Sequence, residues 1–281
     1  DGAWDLGVDG GRVRALEPRL AGMGREETDG TGWFLTPPLV DSHFHLDSVL
    51  CLAETRENRS GTLLEGIEIW GEHRKSLTPE AVLRRADRYL RAAVARGLLH
   101  IRSHVDVSEP GLAGVHGLLE LRRRWAGVVD IQLVAFPQDG FLRASGNRER
   151  LLEALDLGVD IVGGIPHFER TPADGDASVE ELCAIAAGRG LPVDLHCDET
   201  DDPASRHVAT LARMAVECGL RGRVAASHTT SLHSVPDAFF AKLAPLLAEA
   251  GVSVIPNPLV NLTLQGRFDG YPRRRGITRV P

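Results

Sequence analysis

From about residue 38 onward, short apolar runs alternate with longer helix-patterned stretches, and this rhythm narrows the fold more than any other feature. The runs lie near 38–45, 98–107, 130–137, 159–165, 191–197, 223–228 and 252–257. Helical patterns fill the gaps, at about 78–96, 113–125, 147–157, 178–189, 204–219 and 236–250. Thr78-Pro79-Glu80 opens one of them with a side-chain cap followed by proline at the first helical position, and Gly97 ends it. Strand–helix alternation predicts parallel strands joined by crossover helices. Runs such as Val159-Asp160-Ile161-Val162 suit strands covered on both faces. The expectation is an α/β fold, a (β/α)8 TIM barrel, with seven strands identifiable and the eighth missing before Pro281.

Residues 1–34 read differently. They are Gly-rich, with strand-like pieces at Trp4–Val8 and Val13–Leu16 and turns at Asp9-Gly10-Gly11 and Asp29-Gly30. Two domains are expected: part of a small β-sandwich over 1–34, and a barrel over 35–281 that is incomplete at its C-terminus. A length of 281 residues with 43% hydrophobic content suffices for one such barrel and an appendage.

Bulk charge and cysteine usage exclude some partners. A formal charge of −7 argues against a nucleic-acid partner, which demands a basic face. The densest basic cluster, Pro272-Arg273-Arg274-Arg275, reads as a solvated loop. Cys51, Cys183, Cys197 and Cys218 form no C-x-x-C pair, so free thiols in a reducing cytoplasm are expected. No run approaches the roughly 20 apolar residues of a membrane helix. No signal peptide is visible, in a chain that starts at Asp1 without methionine.

Chemistry gathers where the strands end. Side chains at i and i+2 of a strand share a face, so His43 and His45 project together from the first run. Gln138 follows the third run, His196 and Glu199 the fifth, and His228 closes the sixth. Barrel enzymes keep their sites at these C-terminal strand ends. His43, His45 and His196 make an all-nitrogen set suited to zinc or iron(II), a cofactor that makes water acidic near neutral pH. Glu199 is placed to carry protons, although a helix cap is its competing role, one that Asp198 or Asp201 could fill equally well. His228 could orient a water or stabilise a developing alkoxide. Gln138 offers the donor and acceptor that an amide-like ring edge requires. Arg102, His104 and Asp106 share a strand face and are expected to form a supporting polar network rather than a second metal site. His167 is ambiguous, and His73, His116, His207 and His233 read as surface or helix residues.

Taken together, these segments resemble the bacterial cytosine deaminases of the amidohydrolase superfamily. The resemblance rests on VDSHFHLD at Val40–Asp47, SGTLLEG at Ser60–Gly66, SHVDVS at Ser103–Ser108 and VAFPQ at Val134–Gln138. It continues through GIPHFE at Gly164–Glu169, DLHCDE at Asp194–Glu199, ASHTT at Ala226–Thr230, and NPLVN, LQGRFD and RRGITRV within Asn257–Val280. It implies that His43, His45 and His196 bind one divalent metal, Zn or Fe(II), with Glu199 transferring protons and His228 beside the metal. It implies that Gln138 and the Leu63 backbone contact the pyrimidine. One further ligand is implied, an aspartate after the eighth strand, which no residue here matches. The implied reaction replaces the exocyclic amine at C4 of cytosine by water's oxygen, giving uracil and ammonia. The loop Ser48–Arg59 departs from cytosine-specific relatives, which leaves isoguanine, 5-methylcytosine or another small aminated ring as alternatives, together with an inactive ligand-binding relative. A small-molecule nucleobase is the implied partner, with a homo-oligomer the implied assembly. The paired motifs of the other zinc deaminases do not occur here: His167-Phe168-Glu169 spells H-x-E, but no P-C-x-x-C accompanies it.

Overall fold

The computed structural model describes residues 4–20, 22–271 and 276–279. The Pro272–Arg275 cluster lies outside them. Contacts divide the chain into two units, Asp1–Pro37 and Pro38–Pro281. The first unit carries an antiparallel hairpin, β1 (Asp5–Asp9) with β2 (Arg12–Glu17). Gly10 and Gly11 both take positive φ, +56° and +72°, as a tight two-residue hairpin turn requires. Trp33, Phe34 and Leu35 precede the first barrel strand without joining it and are exposed. Thr36-Pro37-Pro38 separates them from it, because proline supplies no ladder donor.

The second unit is built on seven parallel strands hydrogen-bonded in chain order. They are β3 (Leu39–Phe44), β4 (Leu98–Asp106), β5 (Asp130–Phe136), β6 (Ile161–Gly164), β7 (Val193–Cys197), β8 (Val224–His228) and β9 (Val252–Ile255). Together with the helices around them they form an incomplete (β/α)8 TIM barrel. Among the described residues β3 and β9 each pair on one side only, and both are more exposed than the fully buried β6, β7 and β8. The helices are α1 (Leu63–His73), α2 (Pro79–Val94), α3 (Ala113–Arg124), α4 (Asn147–Asp156), α5 (Pro172–Arg189), α6 (His207–Glu217), α7 (Asp237–Ala250) and α8 (Pro258–Leu264). One core cluster joins Val82 and Leu90 of α2, Leu118 of α3, Leu182 of α5 and Leu211 of α6 to Ile101, Leu133 and Leu195 of the strands. Burial on both strand faces explains their unbroken apolar runs.

Two elements differ from the sequence-based expectation. α5 begins at Pro172 rather than near 178, with Thr171 capping the Asp174 amide at 3.1 Å. Its first turns hold Gly175, Asp176 and Ser178, poor helix formers that tertiary packing overrides. Gly175 is needed for that packing: a Cβ there would stand 2.5 Å from the His207 ring. α1 was not expected, although Thr62-x-x-Glu65 is a start signal and the Thr62 hydroxyl accepts the Glu65 amide at 3.2 Å.

Candidate metal centre

β3 delivers His43 and, one residue beyond its end, His45. β7 delivers His196 across the barrel mouth. Their ligand nitrogens all lie within 4.8 Å of one another. His45 Nε2 and His196 Nε2 face each other at 3.1 Å. Two nitrogens each ~2.0–2.1 Å from a common ion sit at about this separation. His104 on β4 and His228 at the end of β8 complete a cluster of five rings, with His104 4.4 Å from both His43 and His196 and His228 4.6 Å from His43. The turns leaving the site are left-handed at residues other than glycine: Asp198, His228 and Thr229 have φ of 59°, 69° and 48°. Strain of this kind gathers where function holds the backbone in place.

Burial keeps these imidazoles neutral. It pushes His45 down to about 4 and His228 to about 3, and with mutual repulsion holds His43, His104 and His196 well below the ordinary value. A polar chain fixes the His43 tautomer. Arg102 donates to Asp194 at 2.9 Å, the Ser227 hydroxyl donates to Asp194 at 2.8 Å, and the Ser227 oxygen stands 2.9 Å from His43 Nδ1. With its one proton committed to Asp194, Ser227 must accept from His43 Nδ1–H. The lone pair then resides on His43 Nε2, which is buried and has no protein partner. A neutral, inward-facing nitrogen set of this chemistry fits a divalent ion such as zinc or iron(II). His43, His104 and Asp194 form a second grouping, but Asp194 is already bound to Arg102 and Ser227.

Glu199 lies beside this cluster, 4% exposed. Burial pushes its carboxyl up to about 8, against an opposing hydrogen bond from Asn261 Nδ2 to Oε1 at 2.8 Å. His228 Nδ1 is 3.1 Å from the same Oε1 and 3.2 Å from Asn261 Oδ1. Burial thus disfavours the charged form of both His228 and Glu199, and Asn261 is the hydrogen-bond partner the two share. Asp198 takes the capping role, accepting the His207 and Val208 amides of α6 at 3.1 and 2.8 Å, which leaves Glu199 to the site. Asn261 had no assigned role at the sequence level. It lies in NPLVN on α8, and only the fold carries it to Glu199.

The other expectations divide. Of the Arg102, His104 and Asp106 set, Arg102 supports the histidine cluster through Asp194, and His104 faces the cluster with neither ring nitrogen hydrogen-bonded, Asp194 Oδ1 standing 3.8 Å from its Nε2. Asp106 turns instead to Trp70 Nε1 (2.7 Å) and Arg74 (3.0 Å). Gln138 is half-buried with its backbone amide 3.4 Å from Asp106 Oδ1, and its side chain does not line the cavity described next. That cavity, about 470 Å3, is lined by Leu63, His167, Phe168, Glu199, Thr200 and Gln265 among others. His207 opens α6 but is buried, with Nδ1 2.8 Å from Asp176. His116 and His233 are exposed, and His73 is half-buried near Glu54. All four cysteines are unpaired.

The amidohydrolase family model matches residues 26–281. The chain belongs to the amidohydrolase family. An amidohydrolase similar to it is the crystal structure of 5-methylcytosine deaminase from Klebsiella pneumoniae liganded with 5-fluorocytosine. That likeness has a TM-score of 0.92 and 39% identity, covering 99% of this chain and 68% of that one. N-isopropylammelide isopropyl amidohydrolase of Pseudomonas sp. (strain ADP) is 28% identical over 91% of this chain and 64% of its own length. Pterin deaminase of Rhizobium rhizogenes (strain K84) is 32% identical over 89% and 56%. The chain therefore spans 64% and 56% of these two curated relatives. Among the described residues no helix of this amidohydrolase is long and apolar enough to cross a membrane.

Proposed function

We propose that this amidohydrolase is a metal-dependent deaminase of a free aminated heterocycle, cytosine or its 5-methyl derivative first. His43, His45 and His196 would hold one divalent ion, zinc or iron(II), which supplies Lewis acidity and an activated water when bound. The observation that carries the reading is Glu199, a buried carboxyl that burial raises to about 8, held by Asn261 beside three converging imidazoles.

The chain's own groups suit proton transfer. Asn261 and His228 both engage Glu199 Oε1, which leaves Oε2 as the oxygen available to the substrate. Glu199 gives its proton to the ring nitrogen next to the amine-bearing carbon, taking that carbon towards tetrahedral geometry as water's oxygen adds. The resulting carboxylate takes the proton shed by the adding water and passes it to the exocyclic amine. As the C–N bond breaks and ammonia leaves, the added hydroxyl gives its proton back to Glu199 and becomes the carbonyl. His228, neutral and with Nε2 unpartnered, accepts a hydrogen bond from the attacking water.

Among the described residues Asp202 lines the cavity and no lysine or arginine does, a lining that favours an uncharged base over a phosphate-bearing nucleotide. The cavity, about 470 Å3, has room for a fused bicyclic base, and isoguanine is the second reading. Four unpaired cysteines support a reducing compartment, the cytoplasm. The test is ammonia release from cytosine, 5-methylcytosine and isoguanine by metal-loaded protein. Turnover of one base well above the rest fixes the substrate, and no turnover of any aminated ring defeats the proposal in favour of a ligand-binding relative.

A further inference from the structure

The short 3₁₀ turn Pro166–Phe168 follows β6 directly and places His167 in the wall of the cavity that also holds Glu199 and Leu63. Both His167 ring nitrogens are buried and neither has a partner in good hydrogen-bond geometry, although the His196 backbone lies close to one of them. Several polar atoms in the same wall are committed elsewhere: the Thr62 hydroxyl to the Glu65 amide, Glu199 Oε1 to Asn261, and Asp202 to the Ala204 amide. Buried polar side chains in folded proteins almost always find a partner, and those that do not are concentrated where a ligand supplies one. β6 neighbours β7 in the sheet, Gly164 aligning with Leu195, so His167 flanks the strand that carries His196 without belonging to its cluster.

We propose that His167 is a substrate-contacting specificity residue, hydrogen-bonding the polar edge of the heterocycle from the cavity wall near Glu199. This rests on the deaminase reading above. A neutral imidazole carries one donor and one acceptor, so it pairs with a carbonyl or a ring N–H of an uncharged base. Its contact is with the ring and not with the carbon that reacts, so it governs affinity and the choice among bases.

The experiment compares wild-type, His167→Phe and His167→Gln proteins, metal-loaded and full-length. It measures kcat and KM for cytosine, 5-methylcytosine and isoguanine, and calorimetric binding of uracil. His167→Phe is expected to raise KM for the preferred base, and to weaken uracil, on the order of 10- to 100-fold, the effect of one lost hydrogen bond in a desolvated pocket. Its kcat stays within about threefold of wild type, because the reacting groups are untouched. His167→Gln recovers part of the affinity, and it gives the same reading if the phenylalanine variant does not fold. Wild-type KM and uracil affinity in either soluble variant would overturn the assignment. So would kcat falling in step with metal content and Tm, the signature of a purely structural imidazole. Wild-type protein that releases no ammonia from any of the three bases defeats the deaminase reading first, and the assignment with it.

Discussion

Glu199 and Asn261 form the most consequential pair at the residue scale. The Asn261 amide holds the Glu199 carboxyl down against burial, so removing it pushes that carboxyl above about 8 and frees it to rotate. Asn261→Ala is expected to lower kcat on the order of 10- to 100-fold, the usual worth of a positioned proton-transfer group's support. The alkaline limb of the kcat profile should move to higher pH, and a profile unmoved relative to wild type would remove Asn261 from the site. His196→Ala deletes one third of the nitrogen set. It is expected to abolish stoichiometric metal retention, read by elemental analysis after desalting, and activity with it. The two residues were not equally legible. His196 lies one residue from the end of a strand and belongs to a repeated pattern of chemistry at the ends of apolar runs. Asn261 sits on a seven-residue helix whose role exists only through a contact 62 positions away.

Strands were legible as elements because burial on both faces writes itself as a continuous apolar run, and β4 to β9 fall where such runs predict. Helix starts were less so. α1 announces itself by one capping residue, and α5 begins among glycine, aspartate and serine, where local preference says loop and packing says helix. β3 falls within the 38–45 run, and Trp33–Leu35 ahead of it stays outside the ladder because the prolines that follow stop it. α1 carries Leu63 into the cavity wall at its first residue, directly after its cap. Thr62→Ala is therefore expected to cost about 1 kcal/mol in urea denaturation. It should also raise KM with little change in kcat. Unchanged stability and KM together would mean that this helix end is held by other contacts.

Across the whole molecule, acid sensitivity follows from the buried histidines. An unfolded histidine titrates near 6.5, whereas burial puts His45 and His167 at about 4 and His228 at about 3 in the fold. Below pH 6.5 the unfolded chain binds protons that the folded one refuses, so stability is full above 6.5 and is lost as pH falls towards 4. Each such group costs at most about 1.4 kcal/mol per pH unit over that window. Metal-free protein is expected to show a urea midpoint that falls steadily between pH 7 and pH 5, and a flat midpoint there would contradict the buried neutral assignments. The barrel was legible at this scale from rhythm alone, while the cavity was not, because its walls come from loops that no periodicity describes.

The Ser227 bond to His43 spans 184 positions of sequence. Such a contact carries a large loop-closure cost and cannot form before the early and late halves of the barrel have met. Ion affinity is thus a clock for assembly: in a refolding experiment it returns with the slowest phase, after most helical signal has recovered.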